Sequence, residues 1–339
     1  MRKSLSAIFA SMIFVMFLLT AAGAQEKVIK MDFSSFLPPT DKVSIAFETW
    51  AKEVEKKSGG KIKINFYAGA TLTPGAQTYD SVVRGVVDLG SSSLAYTRGR
   101  FPMIELLDLP LGVRTAKLAT RLSNEYYKRY ATKEFSDSKI MFFSSHGPGL
   151  LFTRKPVKSL EDLKGMKVKC AAGATVDMLS ALGAAPVPMS MGDTYDGLQR
   201  GMLDGMLGPY AVLSTYRLGE VVKYAPENYS TAYFNTFFVA MNKDKWNALP
   251  KDLQKAIEEI NEQWVNKAGD PWDEEDGNGK RFMKERGNTI APLSKQENAR
   301  WVTQVKPQFD KFIKDKAAKG LPAAEALKWC QDWIQKNQK

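Results

Sequence analysis

The amino-acid sequence predicts an α/β protein with two similar lobes, joined by a hinge and separated by a ligand cleft. Three observations support this fold class. Short apolar strand patterns alternate with amphipathic helical patterns, which is typical of a largely parallel sheet covered by helices. One short motif occurs twice, once in each half of the chain. A long apolar strand then leads the chain from the second half back towards the first.

The first half begins with the order β-α-β-α-β. Alternation of apolar and polar residues predicts strands at 28–34, 62–66 and 88–93. Apolar residues at helical spacing predict a helix that ends at Gly59-Gly60, because glycine readily adopts the positive φ that ends helices. A second helix is predicted over 74–87.

The second half repeats this alternation. Strands are predicted at 139–145, 166–170, 185–189 and 233–241, and helices at 175–182, 194–200, 251–267, about 295–315 and about 323–336. The segment 270–279 is acidic and contains glycine, so it is predicted to be a break between helices.

The repeated motif reads Tyr-Asp-x-x-x-Arg-Gly-x-x-Asp and occupies 79–88 and 195–204. In both copies a predicted helix ends at the glycine and a strand follows, which indicates two similar lobes. The chain enters the second lobe near Ser145 and returns near Tyr233, which implies a hinge. Ligands of open α/β sheets bind at the carboxyl ends of the strands, so the cleft is the predicted site.

The sequence predicts four regions. They are a signal peptide at 1–24, lobe I at 25–145 plus about 236–272, lobe II at 146–235 plus about 273–305, and C-terminal helices at 306–339. The first region has a basic start, an apolar run at 8–19 and an Ala-Gly-Ala end, which are the marks of a secretory signal. The run is shorter than the roughly 20 residues that a spanning helix needs. We therefore expect cleavage near Ala24 and an exported protein.

Composition excludes several function classes. The formal net charge is +11, but lysines alternate with acidic residues and form no basic run interleaved with aromatics, so no nucleic-acid partner is expected. A single histidine excludes His-based zinc motifs, and no metal site or cofactor is expected. Cys170 and Cys330 could form a disulfide in an oxidising compartment or remain free and buried.

Several stretches resemble the solute-binding proteins of tripartite ATP-independent periplasmic (TRAP) transporters, the DctP-type family. Three of them are Leu-Glu-Asp-Leu-Lys-Gly at 160–165, Leu-Gly-Ala-Ala-Pro at 182–186 and Gly-Arg-Phe-Pro at 99–102. Two longer stretches are at 195–205 and 241–254. The resemblance covers the mature chain. It implies a type II-like periplasmic binding protein with two lobes, hinge strands and a long bracing helix. It also implies a receptor that captures a small organic acid and delivers it to TRAP membrane permease subunits. We expect a monomer.

The sequence departs from the family pattern at positions that resemblance places in the pocket. Lys169 stands where the family usually has an arginine for the ligand carboxylate, and lysine lacks its planar fork. Gly208 replaces a common asparagine, and Met191 a common phenylalanine. Gly149 stands where some sialic-acid binders have a second arginine. These departures argue against sialic acid and put simple C4-dicarboxylates in doubt.

The candidate ligand-binding residues lie near predicted strand ends and comprise one cation for a carboxylate and a mainly aromatic set. They are Lys169, Phe36, Tyr96, Arg100, His146, Met191, Tyr210, Tyr233, Phe234 and Asn235. Such a set can enclose a flat apolar body, which favours a monocarboxylate with an aromatic or apolar body. Ordinary core packing is the alternative for each aromatic residue. Arg100 could instead join loops, His146 could serve the hinge, and Asn235 could pair with backbone.

Two other functions fit the same fold. The protein could be the binding component of an ATP-driven importer, although the family motifs count against this. It could also be an exported enzyme, but the sequence contains no P-loop, no complete dinucleotide-binding glycine motif and no clustered carboxylates with the spacing of metal ligands. We therefore predict a receptor and not an enzyme.

Overall fold

Two separate β-sheets organise the structure, a computed structural model that describes residues 28–338. The predicted signal peptide lies outside the described residues. The first sheet has the order β2-β1-β3-β10-β4, and only β10 runs antiparallel to its neighbours. Its strands are β1 (Ile29–Ser35), β2 (Ile62–Tyr67), β3 (Leu89–Ser93), β4 (Ser138–Ser145) and β10 (Thr236–Asn242).

The second sheet has the order β11-β9-β5-β8-β6-β7. Its strands are β5 (Leu150–Thr153), β6 (Lys167–Cys170), β7 (Ala185–Pro188), β8 (Gly205–Gly208), β9 (Tyr224–Glu227) and β11 (Thr289–Pro292). Here β6 is parallel to β7 and β8, whereas β5 is antiparallel to β8 and β9. The two-lobe α/β fold is thereby confirmed.

Helices cover both sheets. They are α1 (Lys42–Lys57), α2 (Thr78–Val83), α3 (Ala116–Tyr126), α4 (Ala174–Ala181), α5 (Thr194–Gln199), α6 (Ala211–Thr215), α7 (Lys243–Asn247), α8 (Lys251–Lys267), α9 (Asp270–Glu285), α10 (Lys295–Ala317) and α11 (Ala323–Asn337). No helix among residues 28–338 has both the length and the apolar character needed to cross a membrane.

The first sheet is packed on both faces. Neighbouring residues of β4 point in opposite directions, so Phe142 joins the aromatic cluster of Trp50 and Trp264, while Phe143 packs with Tyr127 on the other face. Because both faces are covered, every residue of β3 and β10 is buried. The ends of the strands, where the chain leaves the sheet, therefore remain available for function.

The repeated motif has the same structural role in both lobes. Asp88 Oδ2 accepts a hydrogen bond from Asp32 N at 2.8 Å, and Asp204 Oδ2 accepts one from Lys167 N at 2.9 Å. Each aspartate therefore ties the start of its strand to a neighbouring parallel strand. The glycines before them, Gly85 and Gly201, have φ values of +71° and +73°.

The predicted break at 270–279 is wrong, because α9 runs without interruption from Asp270 to Glu285. Proline at the first turn and acidic residues near the amino end favour this helix start. The predicted limits of the lobes at 272 and 305 both fall within helices, α9 and α10. The helix predicted at 74–87 is also shorter, since only Thr78–Val83 is α-helical.

Helix α9 braces the two lobes by capping one helix in each. The Asp273 carboxylate accepts hydrogen bonds from Ala116 N at 2.6 Å and Lys117 N at 3.0 Å, at the start of α3. The Asp276 carboxylate accepts one from Ala211 N at 2.8 Å, at the start of α6. Acidic residues that looked like a loop signal are thus used to bind helix amino ends.

Both cysteines are free and buried. Cys170 packs in a cluster of the second lobe, and Cys330 packs with α3 and the first sheet. The open choice between a disulfide and two buried thiols is therefore resolved in favour of free thiols.

Candidate functional site

A cleft lies at the carboxyl ends of β1, β3, β6 and β8, between the two sheets. About 710 Å³ of space not filled by protein atoms lies within it, including solvent at its open mouth. Seven of the ten predicted ligand-binding residues line it. They are Phe36, Tyr96, His146, Lys169, Met191, Tyr233 and Asn235.

Arg100, Tyr210 and Phe234 do not line this cleft. Arg100 forms ion pairs with Asp80 and Asp137 and covers the ring of Tyr79, so its charge is already balanced. The Tyr210 hydroxyl donates to Glu227 Oε1 at 2.9 Å. Phe234 is buried in the core of the first lobe. The sequence could not place these three side chains, because strand direction and ion-pair partners depend on tertiary structure.

Lys169 provides an unbalanced buried cation. The side chain is 4% exposed on β6, and its ammonium contacts Met191 Sδ at 3.9 Å. It forms no ion pair with any residue in 28–338. Burial lowers the pKa of Lys169 to about 8, so the ammonium is mostly protonated at pH 7. A buried charge of this kind is stabilised when an anion binds beside it.

His146 joins the two hinge segments through both ring nitrogens. Its Nδ1 lies 2.6 Å from Gly147 O, and its Nε2 accepts a hydrogen bond from Asn235 N at 3.0 Å. These contacts require a proton on Nδ1 and none on Nε2. Burial, with a smaller contribution from the charge of Lys169, lowers the pKa of His146 to about 4. The ring therefore presents carbon surface to the cleft, and the hinge role left open by the sequence is the one its contacts support.

We expect His146 to stay neutral from pH 5.5 to 8. Because it is the sole histidine, its Cε1–H signal in a two-dimensional NMR spectrum can be followed without assignment. The chemical shift should be constant over this range in the folded protein and should titrate near 6.5 in urea, as for an unperturbed imidazole. A folded-state midpoint between 6 and 7 would contradict the buried neutral ring.

The aromatic wall of the cleft comes mainly from the first lobe and α9. Phe36 and Phe237 are parallel, with centroids 6.1 Å apart and an interplanar angle of 6°. Phe237 also packs against Trp272 at 5.0 Å, and Tyr96 meets Phe36 edge to face at 5.8 Å. Ring edges and faces of this kind are suited to a flat apolar body.

Tyr233 closes the cleft next to the hinge, and Gly149 allows it to do so. A Cβ atom at position 149 would lie 2.2 Å from Tyr233 Cε1, so only glycine fits beneath the ring. The same pair is joined by a hydrogen bond from Gly149 N to Tyr233 O at 2.7 Å. The space that a larger residue at 149 would occupy is thus filled by an aromatic ring.

Sequence reasoning missed several cleft residues, including Asp41, Tyr216, Phe237 and Trp272. Asp41 follows the carboxyl end of β1 and caps α1. Its position after a predicted strand and its position before a predicted helix could both be recognised in the sequence. Trp272 was hidden because its segment was predicted to be a break. Among residues 28–338, no group of three or more His, Cys, Asp or Glu side chains could hold a metal ion.

Comparison with known proteins identifies the family. The profile of bacterial extracellular solute-binding protein family 7, DctP, matches residues 33–315. The chain belongs to this family. Its members are receptors for small organic acids that work with TRAP membrane components, so the DctP-family fold, export and carboxylate binding follow for this chain in general terms.

Three relatives of this DctP-family protein extend over most of the chain. A C4-dicarboxylate-binding periplasmic protein of Vibrio cholerae is 26% identical over 334 residues, with 96% of this chain and 99% of the relative covered. A TRAP solute-binding protein of Rhodoferax ferrireducens, solved with copurified benzoate, is 30% identical with a TM-score of 0.85, covering 91% and 98%. A marine metagenome TRAP protein specific for aromatic acid ligands, solved with 3-hydroxybenzoate, is 29% identical with a TM-score of 0.86, covering 92% and 99%.

Proposed function

We propose that this protein is the periplasmic receptor of a TRAP transporter for aromatic monocarboxylates and that it delivers them to the membrane permease. The observation that carries the proposal is the buried cation Lys169, without an ion-pair partner in the described chain, in a cleft walled by Phe36, Phe237, Trp272 and Tyr233. The ammonium would bind the ligand carboxylate, and the aromatic side chains would cover its ring.

A C4-dicarboxylate fits this cleft less well. Its second carboxylate would have to be buried, and no second unpaired lysine or arginine lines the cleft within residues 28–338. Burying an unpaired carboxylate is costly. The benzoate and 3-hydroxybenzoate bound to two relatives agree with an aromatic ligand, whereas the relative from Vibrio cholerae is named for dicarboxylates.

The rest of the proposal concerns the exported form. The mature chain would begin near Gln25 after cleavage at Ala24, act in the periplasm as a monomer and close on its ligand at the hinge. Two chain segments cross between the lobes, one near His146 and one near Tyr233. Hydrogen bonds at His146 and Gly149 join these two segments, which supports closure about a single hinge.

A thermal-shift panel on ligand-free protein tests the ligand class. Refolding from guanidinium should first remove any copurified molecule, which mass spectrometry can then identify. Benzoate, 3-hydroxybenzoate and branched 2-oxo acids should raise the melting temperature more than succinate, malate or glucuronate at equal concentration, since stabilisation follows binding to the native state. If only C4-diacids or sugar acids stabilise the protein, the proposed ligand class is wrong.

A further inference from the structure

A second buried charged side chain lines the cleft. Its charge is opposite in sign to that of Lys169, and it follows a strand of the first sheet, whereas Lys169 lies on the second sheet. Asp41 follows β1 and is 5% exposed. Its Oδ1 accepts a hydrogen bond from Val43 N at 2.8 Å, and the carboxyl forms no ion pair with the described residues. Burial raises the pKa of Asp41 to about 6, with a further contribution from the charge of Glu275. At pH 7 this group is therefore mostly an anion without a cation.

Two tyrosine side chains add polar groups to the cleft, Tyr96 after β3 and Tyr216 after α6. Tyr96 and Tyr216 both line the cleft, and neither hydroxyl has a hydrogen-bond partner in the part of the chain that the structure describes. Burial raises the pKa of Tyr216, with smaller contributions from Asp41 and Tyr96. All three side chains line the same cleft. The largely apolar cleft thus contains polar groups in addition to Lys169.

We propose that Asp41, with Tyr96 and Tyr216, binds a hydroxyl group that the ligand carries away from its carboxylate. The preferred ligands are then hydroxy-substituted aromatic acids. A carboxylate accepts hydrogen bonds and cannot donate them, so a hydroxyl donor satisfies Asp41 without adding charge. A second ligand carboxylate would instead meet a like charge, which gives a further reason for rejecting dicarboxylates. This inference rests on the proposed function.

The first test changes the ligand and leaves the protein intact. Calorimetry at pH 7, where Asp41 is mostly ionised and Lys169 mostly protonated, should compare benzoate with 3-hydroxybenzoate, 4-hydroxybenzoate and the two corresponding methoxybenzoates. At least one hydroxybenzoate should bind about tenfold more tightly than benzoate, because hydrogen bonds to charged groups are among the strong ones. Its methyl ether, which has lost the donor, should lose this gain.

The second test changes Asp41. Asp41→Asn keeps a residue that caps helices well, so α1 should remain formed. It should lower the ratio of hydroxybenzoate affinity to benzoate affinity several-fold, because a neutral amide oxygen is a weaker acceptor than a carboxylate. Glu48→Gln, on the exposed side of the same helix, is the matched control and should preserve the preference. Tyr216→Phe should reduce the ratio of hydroxybenzoate affinity to benzoate affinity.

The outcomes separate the two proposals. If benzoate binds but hydroxyl and methoxy derivatives bind equally well to the wild type, or Asp41→Asn keeps the preference, the role of Asp41 is refuted and the proposed function stands. If no aromatic acid binds the wild-type protein, both proposals fail. The ligand comparison does not depend on whether a variant folds.

Discussion

Lys169→Met is expected to weaken carboxylate binding severely while making the unliganded protein more stable. The ligand would lose its hydrogen bond to a charged group, which is worth on the order of 1.5–3 kcal/mol of binding free energy. The free protein would no longer bury an unpaired ammonium. Because burial lowers the pKa of Lys169 to about 8, removing the charge should raise the free energy of unfolding at pH 7 by on the order of 2 kcal/mol.

The opposite signs of the two effects make this experiment decisive. Lys167→Met is the matched control, since Lys167 lies on the same strand with an exposed side chain and should alter neither quantity much. The stability difference at Lys169 also has a defined pH dependence. Its folded-state pKa is lowered, so the wild type should regain stability as pH rises from about 8 towards 10. Calorimetry that finds equal ligand affinity in both lysine variants would show that Lys169 is not the carboxylate-binding residue.

Gly279→Ala should destabilise the protein by about 3 kcal/mol or more, as judged by chemical denaturation. A Cβ atom at position 279 would lie 1.8 Å from the carbonyl oxygen of Tyr210, which is backbone and cannot rotate away. Helix α9 would have to separate from the start of α6, and the cap from Asp276 to Ala211 would be lost with it. Overpacking against backbone and loss of a helix cap are both costly.

Gly277→Ala, on the same helix, is the control and should have the opposite effect. Nothing lies within 4 Å of a Cβ atom placed at 277. Alanine should therefore stabilise α9 by about 0.5–1 kcal/mol through its better helix propensity. If both alanine variants shift the denaturation midpoint in the same direction, the close approach between α9 and α6 is not what holds the lobes.

The sequence was sufficient for features that depend on local patterns. Period-two alternation located strands of both sheets, and the resemblance at 160–169 drew attention to Lys169 at a strand end. Local patterns could not show that Asp273 and Asp276 cap helices far away in sequence. Their charges therefore looked like a loop, and Trp272 was missed as a wall of the cleft.

The errors among the site residues have a related cause. The ion-pair partners of Arg100 could not be identified from the sequence, but in the fold it is paired with Asp80 and Asp137. Tyr233 and Phe234 are neighbours, and because successive side chains of extended chain point to opposite sides, one faces the cleft and the other the core. Which of the two would face the ligand depends on how the returning strand is placed, and periodicity alone does not determine that.

The position of β10 also affects how this exported chain can acquire its structure as it emerges from the membrane. In the first sheet β10 lies between β3 and β4, so these two strands never pair with each other. Until residues 236–242 have crossed, β3 has an open edge and β4 has no partner in the sheet. Pairing over such sequence distances is slow. Folding of the amino-terminal half before export is therefore disfavoured, so the chain stays unfolded enough to cross the membrane. During that time its apolar strands are exposed and need protection from aggregation.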